Sequence, residues 1–411
     1  MTQPTLSQPI DLPCGATVKN RFGKSAMSET LGTTDNRATG KLATLYQSWA
    51  EGGTGLLISG NVMIDRRHLG EPNNVVLENE EGLDAIRQWA KAGTQNGAHL
   101  WVQLNHPGKQ TPKLLTKQSV APSAVPFKAE LRSYFNTPRE LTETEILDII
   151  KRFGRSAALA KKAGFTGVQI HGAHGYLVSQ FLSSHHNQRT DQWGGSLENR
   201  MRFVICVYEE IRQQVGNDYP VSIKLNSADF QRGGFSEDES MEVAEQLANL
   251  GLDLLEISGG TYESPEMTGL NVRDSTRQRE AYFLDYAQKI RQRISIPLMV
   301  TGGFRTDAGM RDALASGATD FIGLGRPLAL EPDLPNRIMA GDKVTSVVKP
   351  IRTGIKMADD SAMMETMFYT YQIGRIAKGK KTKPHENSII SMLRAFALIT
   401  FRTTKTKRLR A

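Results

Sequence analysis

The chain has 411 residues, 39% of them hydrophobic, with 37 glycines and 17 prolines; this is enough length for a large core and a composition unlike disordered or fibrous proteins. The only cysteines, Cys14 and Cys206, lie far apart without C-x-x-C spacing, which excludes a disulfide framework, a thiolate zinc site and an iron–sulfur cluster, and points to a reducing cytoplasm. The net charge of +8 is local: residues 349–411 carry 14 Lys/Arg and 4 Asp/Glu, leaving the first 348 residues at about −2, so no nucleic-acid groove is inferred.

The N-terminus, MTQPTLSQPIDLP, lacks a charged and then apolar leader pattern, and no run reaches about 18 consecutive apolar residues. Neither a signal peptide nor a membrane span is expected. Eight short apolar runs suited to buried parallel strands follow, at 22–28, 55–60, 99–104, 167–172, 221–226, 252–258, 297–301 and 320–325. Segments with helical spacing alternate with them, at 41–51, 81–96, 142–163, 197–215, 238–250, 280–292, 307–315 and 333–340. Thr142-x-x-Glu145 predicts a capping box, and Gly164 and Gly251 predict helix ends.

This rhythm predicts an α/β fold, a (β/α)8 TIM barrel over residues 1–341. A doubly wound open sheet competes, but its strands are covered by helices on both faces and read apolar at both parities. Here one parity turns polar: Gln103 and Asn105 alternate with Leu100, Val102 and Leu104; Ser222, Lys224 and Asn226 do the same; Gln169 and His171 oppose Val168 and Ile170. A barrel sends one parity inward, where its upper layer can be a wet site. Three long connections, 105–141, 173–196 and 259–279, are expected to build or cover that site. Residues 342–411 are expected to form a helical C-terminal extension with a basic tail.

The seventh run ends in Thr301-Gly302-Gly303 and the eighth in Gly323-Leu324-Gly325-Arg326. Glycines allow backbone N–H groups to approach a phosphate, helix N-termini favour it, and Arg326 adds a charged fork. The alternative is a pair of tight strand–helix turns. After the fourth run comes IHGAHGY at 170–176. Its two histidines can be read as metal ligands, as turn caps or as donors to a bound ligand; H-x-x-H without neighbouring cysteines or carboxylates makes a poor metal cage.

HGAHGYLVSQFLSSHHNQRTDQWGGSLENRMRF, with NRFGKSAMSE, LISGNV, QLNHPGKQ, REAYFLDYAQKIR, VTGGFRT and GLGRP, resembles the Old Yellow Enzyme family of FMN-dependent ene-reductases over residues 12–335. The resemblance implies FMN at the top of a (β/α)8 barrel, reduction by NAD(P)H, and hydride transfer to the β-carbon of a small activated alkene. By the same resemblance Ser25, Ala26, Met27 and Ser28 lie along the flavin, Gly60 and Gln103 contact its ring, and Lys224 places a cation at its pyrimidine edge. Gly303, Gly325 and Arg326 hold its phosphate. His171, also beside the flavin, and His174 donate hydrogen bonds to the substrate carbonyl, and Tyr176 gives the α-carbon its proton; packing of Tyr176 with water as donor is the alternative. His185 and His186 are read as structural or solvent-facing.

The pattern has departures. Ser28 stands where some relatives have cysteine, Thr30 where they have a second active-site tyrosine, and Pro107 is unusual after the third strand. Competing functions are a phosphate-ligand barrel isomerase or aldolase with Lys224 as a Schiff-base lysine, and a non-catalytic flavin-binding module. The run IISMLRAFALITF before the basic end reads as a helix packed on the barrel or a partner subunit, with weak contact to an anionic membrane surface as the second reading. A homo-oligomer is compatible with the sequence.

Overall fold

The computed structural model describes residues 4–264, 280–351 and 362–387, and beyond these 389–391, 393, 394, 397, 400, 401 and 404. The eight runs form strands β1 (Phe22–Lys24), β2 (Leu56–Met63), β3 (His99–Asn105), β4 (Gly167–Gly172), β5 (Val221–Asn226), β6 (Leu254–Ser258), β7 (Leu298–Thr301) and β8 (Phe321–Leu324). Each pairs in parallel with its chain neighbours, and β8 returns to β1 to close the barrel. The open-sheet alternative is thereby excluded.

The strands form as they do because both parities have somewhere apolar or hydrogen-bonded to go. At the barrel floor Leu56, Ile58, Trp101, Leu254, Met299 and Phe321 pack together inside, sealed by Leu12 and Val18 of a small N-terminal hairpin, Ile10–Asp11 with Thr17–Val18. Gly167 faces this layer because nothing larger fits: a Cβ there would lie 2.5 Å from the Trp101 ring. The other parity packs outward on helices α1 (Gly40–Glu51), α2 (Leu83–Gly93), α3 (Glu143–Ala163), α4 (Leu177–Leu182), α5 (Leu197–Val215), α6 (Glu237–Asn249), α7 (Leu284–Arg291) and α8 (Asp307–Ala315). The expected capping box starts α3: Thr142 N donates to Glu145 at 2.8 Å and Thr142 Oγ1 accepts from Glu145 N at 3.3 Å.

Short helices α9 (Arg326–Leu330) and α10 (Leu334–Met339) follow β8, and α11 (Ala362–Ile376) packs back on α9, burying Phe368 and Ile373 in the main core. Beyond it Ile389, Ile390, Leu393 and Phe401 are exposed. The basic end at 402–410 lies, Thr404 apart, outside the described residues, as does Arg279 of the REAYF motif and the 265–279 part of the third long connection. Among the described residues no helix is long and apolar enough to cross a membrane.

Candidate active site

Above the apolar floor the inward parity becomes a hydrogen-bonded belt. Gln103 Nε2 donates to Gln169 Oε1 at 2.8 Å, and Gln169 Nε2 to Glu256 Oε2 at 2.9 Å. Thr301 Oγ1 donates to Glu256 Oε1 at 2.7 Å and shares a 2.8 Å hydrogen bond with Ser25 Oγ. Lys224 Nζ lies 2.9 Å from Glu256 Oε1. Ser25, Gln103, Gln169, Lys224 and Glu256 are all buried, so β3 to β7, with Thr301 from β7, and the residue after β1 contribute to a continuous polar layer whose members satisfy one another. The amine of Lys224 is engaged by a carboxylate rather than open to a carbonyl, which disfavours the Schiff-base reading.

Beyond β1, residues 25–28 continue outside the sheet. Gly60 lies beneath it, where a Cβ would meet Met27 O at 2.6 Å; Ala26 packs against the floor cluster; Ser28 Oγ donates to Glu71. A buried group under the segment holds it: Lys24 Nζ donates to Tyr46 Oη at 2.9 Å and pairs with Glu29 at 3.5 Å, and Gly60 N donates to Glu29 at 3.1 Å.

His171 lies near the end of β4, and the turn that follows carries His174 and Tyr176. Their rings form one cluster, His171 to His174 at 5.2 Å and His171 to Tyr176 at 4.6 Å between centroids. His174 has φ of 62°, an uncommon conformation for a non-glycine residue, held by Asn226 Oδ1 accepting from its N–H at 3.1 Å and Gln110 donating to its carbonyl at 2.9 Å. Its Nε2 shares a 2.7 Å hydrogen bond with Ser258 Oγ, leaving Nδ1 for a ligand. In His171, Nδ1 accepts from Ala173 N at 3.4 Å, which leaves Nε2. Burial, then Lys224, holds His174 down at about 3; burial, then His174 and Lys224, holds His171 well below the usual imidazole range. Both rings are therefore neutral at pH 7. Burial raises the Tyr176 phenol well above its ordinary value.

Thr301 of β7 pairs with Gly323 of β8, so the turns carrying Gly303 and Gly325-Arg326 leave neighbouring strands, and Arg305 lies within electrostatic reach of Arg326. Gly303 has φ of 97°, and a Cβ there would lie 2.6 Å from Ala281 N and 3.0 Å from the Tyr282 ring; at Gly325 a Cβ would meet only the Met27 side chain, at 3.8 Å, among the described residues. Arg305 and Arg326 repel each other electrostatically, while Arg326 Nη1 donates to Glu365 of α11 at 2.5 Å. Two guanidinium groups around glycine-lined space suit a phosphate dianion.

The family model described as NADH:flavin oxidoreductase / NADH oxidase matches residues 5–344. The chain belongs to this family. It is 37% identical over 365 residues to the NADH-dependent flavin oxidoreductase iliE of Hypocrea jecorina (strain QM6a), covering 82% of this chain and 90% of that protein. The iliE protein of Neonectria sp. (strain DH2) is also 37% identical, over 84% of this chain, but the chain spans only 48% of its length. Among solved structures, the Old Yellow Enzyme homologue from Zymomonas mobilis superposes with a TM-score of 0.71 at 27% identity, covering 84% of this chain and 95% of that one. The protein is an NAD(P)H-dependent flavin oxidoreductase of the Old Yellow Enzyme type, with FMN as cofactor.

For this flavin oxidoreductase, sequence reasoning missed several groups around the mouth. Glu256 reads as one acidic residue in an apolar strand; only its neighbours Lys224, Gln169 and Thr301 show its place. Tyr262, past β6, meets Tyr176 hydroxyl to hydroxyl, and Asn61, beyond the bulge in β2, also reaches Tyr176. Glu263 ties three loops: it pairs with buried Lys109 at 3.3 Å, lies 3.7 Å from His186 Nε2, and accepts from Lys128 N at 2.9 Å. His186 is thus buried and structural, one of the two roles read from sequence.

Proposed function

We propose that the enzyme reduces the C=C bond of an alkene conjugated to a carbonyl or similar acceptor. The observation that carries this reading is the cluster at the end of β4 and the turn after it: two neutral imidazoles, each with a ring nitrogen left over among the described residues, beside a phenol that burial keeps protonated. Bound FMN, recharged by NAD(P)H, supplies the hydride that adds to the β-carbon. Ser25, Ala26, Met27, Ser28, Gly60 and Gln103 would hold the ring system, and Gly303, Gly325 and Arg326 the phosphate.

His171 Nε2 and His174 Nδ1 donate to the acceptor oxygen, where negative charge grows during the reaction. Being neutral, they donate without giving up a proton to the product. Ser258, donating to His174 Nε2, favours the tautomer with the proton on Nδ1; the Ala173 N–H does the equivalent for His171. Tyr176 transfers its hydroxyl proton to the α-carbon. Lys224 offers a cation whose strength Glu256 moderates.

The test is anaerobic reduction by NADH or NADPH, followed by reoxidation with cyclohexenone. Rapid reoxidation by the enone is expected. Reduction without enone-dependent reoxidation would overturn the alkene reading while leaving the flavin oxidoreductase intact. The variant His171→Ala/His174→Ala should bind phenols at least tenfold more weakly. Unchanged phenol affinity would remove the histidines from the ligand site.

A further inference from the structure

Tyr369 lies on α11, after the barrel's last strand–helix unit, and only 5% of it is exposed. Its hydroxyl is buried without a hydrogen-bond partner among the described residues, although a buried donor left unmatched is costly and rare in native proteins. The groups acting on it most strongly after burial are Arg326, Glu365 and Arg305, so it faces the glycine-lined corner. Glu365 and Tyr369 are four residues apart and therefore share one face of the helix.

That face is fixed from several sides. Glu365 accepts from Arg326 at 2.5 Å, and Thr370 Oγ1 donates to the carbonyl of Ser28 at 3.0 Å. Met364, Met367 and Phe368 are buried beneath. The helix thus bridges the end of β8 and the segment after β1. At this corner two guanidinium groups repel each other, Glu365 pairs with Arg326 while Glu280 acts on Arg305, and the Tyr369 hydroxyl has nothing to donate to among the described residues. An anion bearing several acceptor oxygens completes that set; a neutral ligand does not.

We propose that α11 completes the FMN phosphate site, with Tyr369 donating its hydroxyl to the phosphate alongside Arg305 and Arg326. The proposal rests on the FMN assignment and extends the cofactor site beyond the barrel into the C-terminal extension. It carries its own discriminator, because riboflavin has the same ring and ribityl chain without the phosphate.

The experiment titrates flavin-free protein with FMN and with riboflavin, following quenching of flavin fluorescence, for wild type and Tyr369→Phe. The substitution should weaken FMN about tenfold and leave riboflavin affinity unchanged. Thermal unfolding gives a second readout. Flavin-free Tyr369→Phe should melt at or above the wild-type temperature, since it loses only an unmatched hydroxyl, whereas the stabilisation on adding FMN should shrink. Equal weakening of both flavins would assign α11 to packing and overturn the proposal, as would unchanged FMN affinity. Wild-type protein that binds neither flavin would sink the cofactor assignment itself, a different result from either.

Discussion

The hydroxyls of Tyr176 and Tyr262 lie 2.8 Å apart, joining the turn after β4 to the loop after β6. Burial pushes Tyr262 up to about 12 and Tyr176 well above its usual value, so both phenols stay protonated through neutral pH. Tyr262 as a residue is 38% exposed although its hydroxyl is desolvated against buried Tyr176, so in the proposed reaction Tyr262 would be the group through which Tyr176 recovers its proton. Tyr176→Phe should slow enone-dependent reoxidation about 10²-fold or more while sparing reduction by NAD(P)H. Tyr262→Phe should slow the same half-reaction less and alter its solvent isotope effect. Wild-type reoxidation rates in Tyr176→Phe would assign the proton to water.

Glu256 lies against Lys224 at 2.9 Å and so offsets the cation at the flavin's expected place. Glu256→Gln keeps the hydrogen-bonding shape but removes the opposing charge. The flavin potential should rise by about 30 mV or more, equivalent to about 1.4 kcal/mol for two electrons. Dye-equilibrated reductive titration measures this, and an unchanged potential would separate the pair from flavin tuning.

Glu263 and Lys109 are each about 2% exposed in their side chains, and Lys109 also lies 4.1 Å over the Phe127 ring. Glu263→Gln should destabilise by about 3 kcal/mol because it strands a buried ammonium. Adding Lys109→Met should recover much of the loss. The melting temperatures of the single and double variants decide this; additive losses would show that the two residues act separately.

Acid should destabilise the protein through its buried imidazoles. For His174 the native value of about 3 is below the ordinary 6.5, so the unfolded chain takes up the proton first. Its contribution is complete above pH ~6.5 and declines toward about pH 3, with a slope up to about 1.4 kcal/mol per pH unit. Denaturant midpoints at pH 7, 6 and 5 should fall in that order, and His174→Asn should flatten the trend. Stability independent of pH over that range would mean that the rings are not buried in neutral form.

Gly167→Ala would place a methyl 2.5 Å from Trp101 in the barrel floor. Overpacking there should lower stability by about 1–3 kcal/mol. Calorimetry on the variant, with Trp101→Phe as a compensating second change, measures the effect; no loss in Gly167→Ala alone would show that the floor yields freely.

What could be read directly was whatever is local along the chain. Strand and helix periodicity gave β4, β5, α5 and α8 with their observed limits, because side-chain parity and helical spacing repeat within a few residues. The expected strand at 22–28 is shorter in the structure: only Phe22–Lys24 is strand, Ser25 N still donates to Leu324 O of β8 at 2.9 Å, and 26–28 continue outside the sheet. The clustering of His171, His174 and Tyr176 was legible because six consecutive residues, from the end of β4 into the turn after it, carry all three.

Partnerships between distant residues were not legible. Tyr176 and Tyr262 are 86 positions apart, Lys109 and Glu263 are 154 apart, and Arg326 and Glu365 are 39 apart. The sequence alone determined the alternation of strands and helices, the inward polar parity and the gathering of two histidines and a tyrosine within residues 170–176. Closure of the barrel decided which buried charge faces which, and the return of α11 decided what surrounds the two arginines. Those pairings depend on which loops meet over the barrel mouth, and no short-range periodicity encodes that.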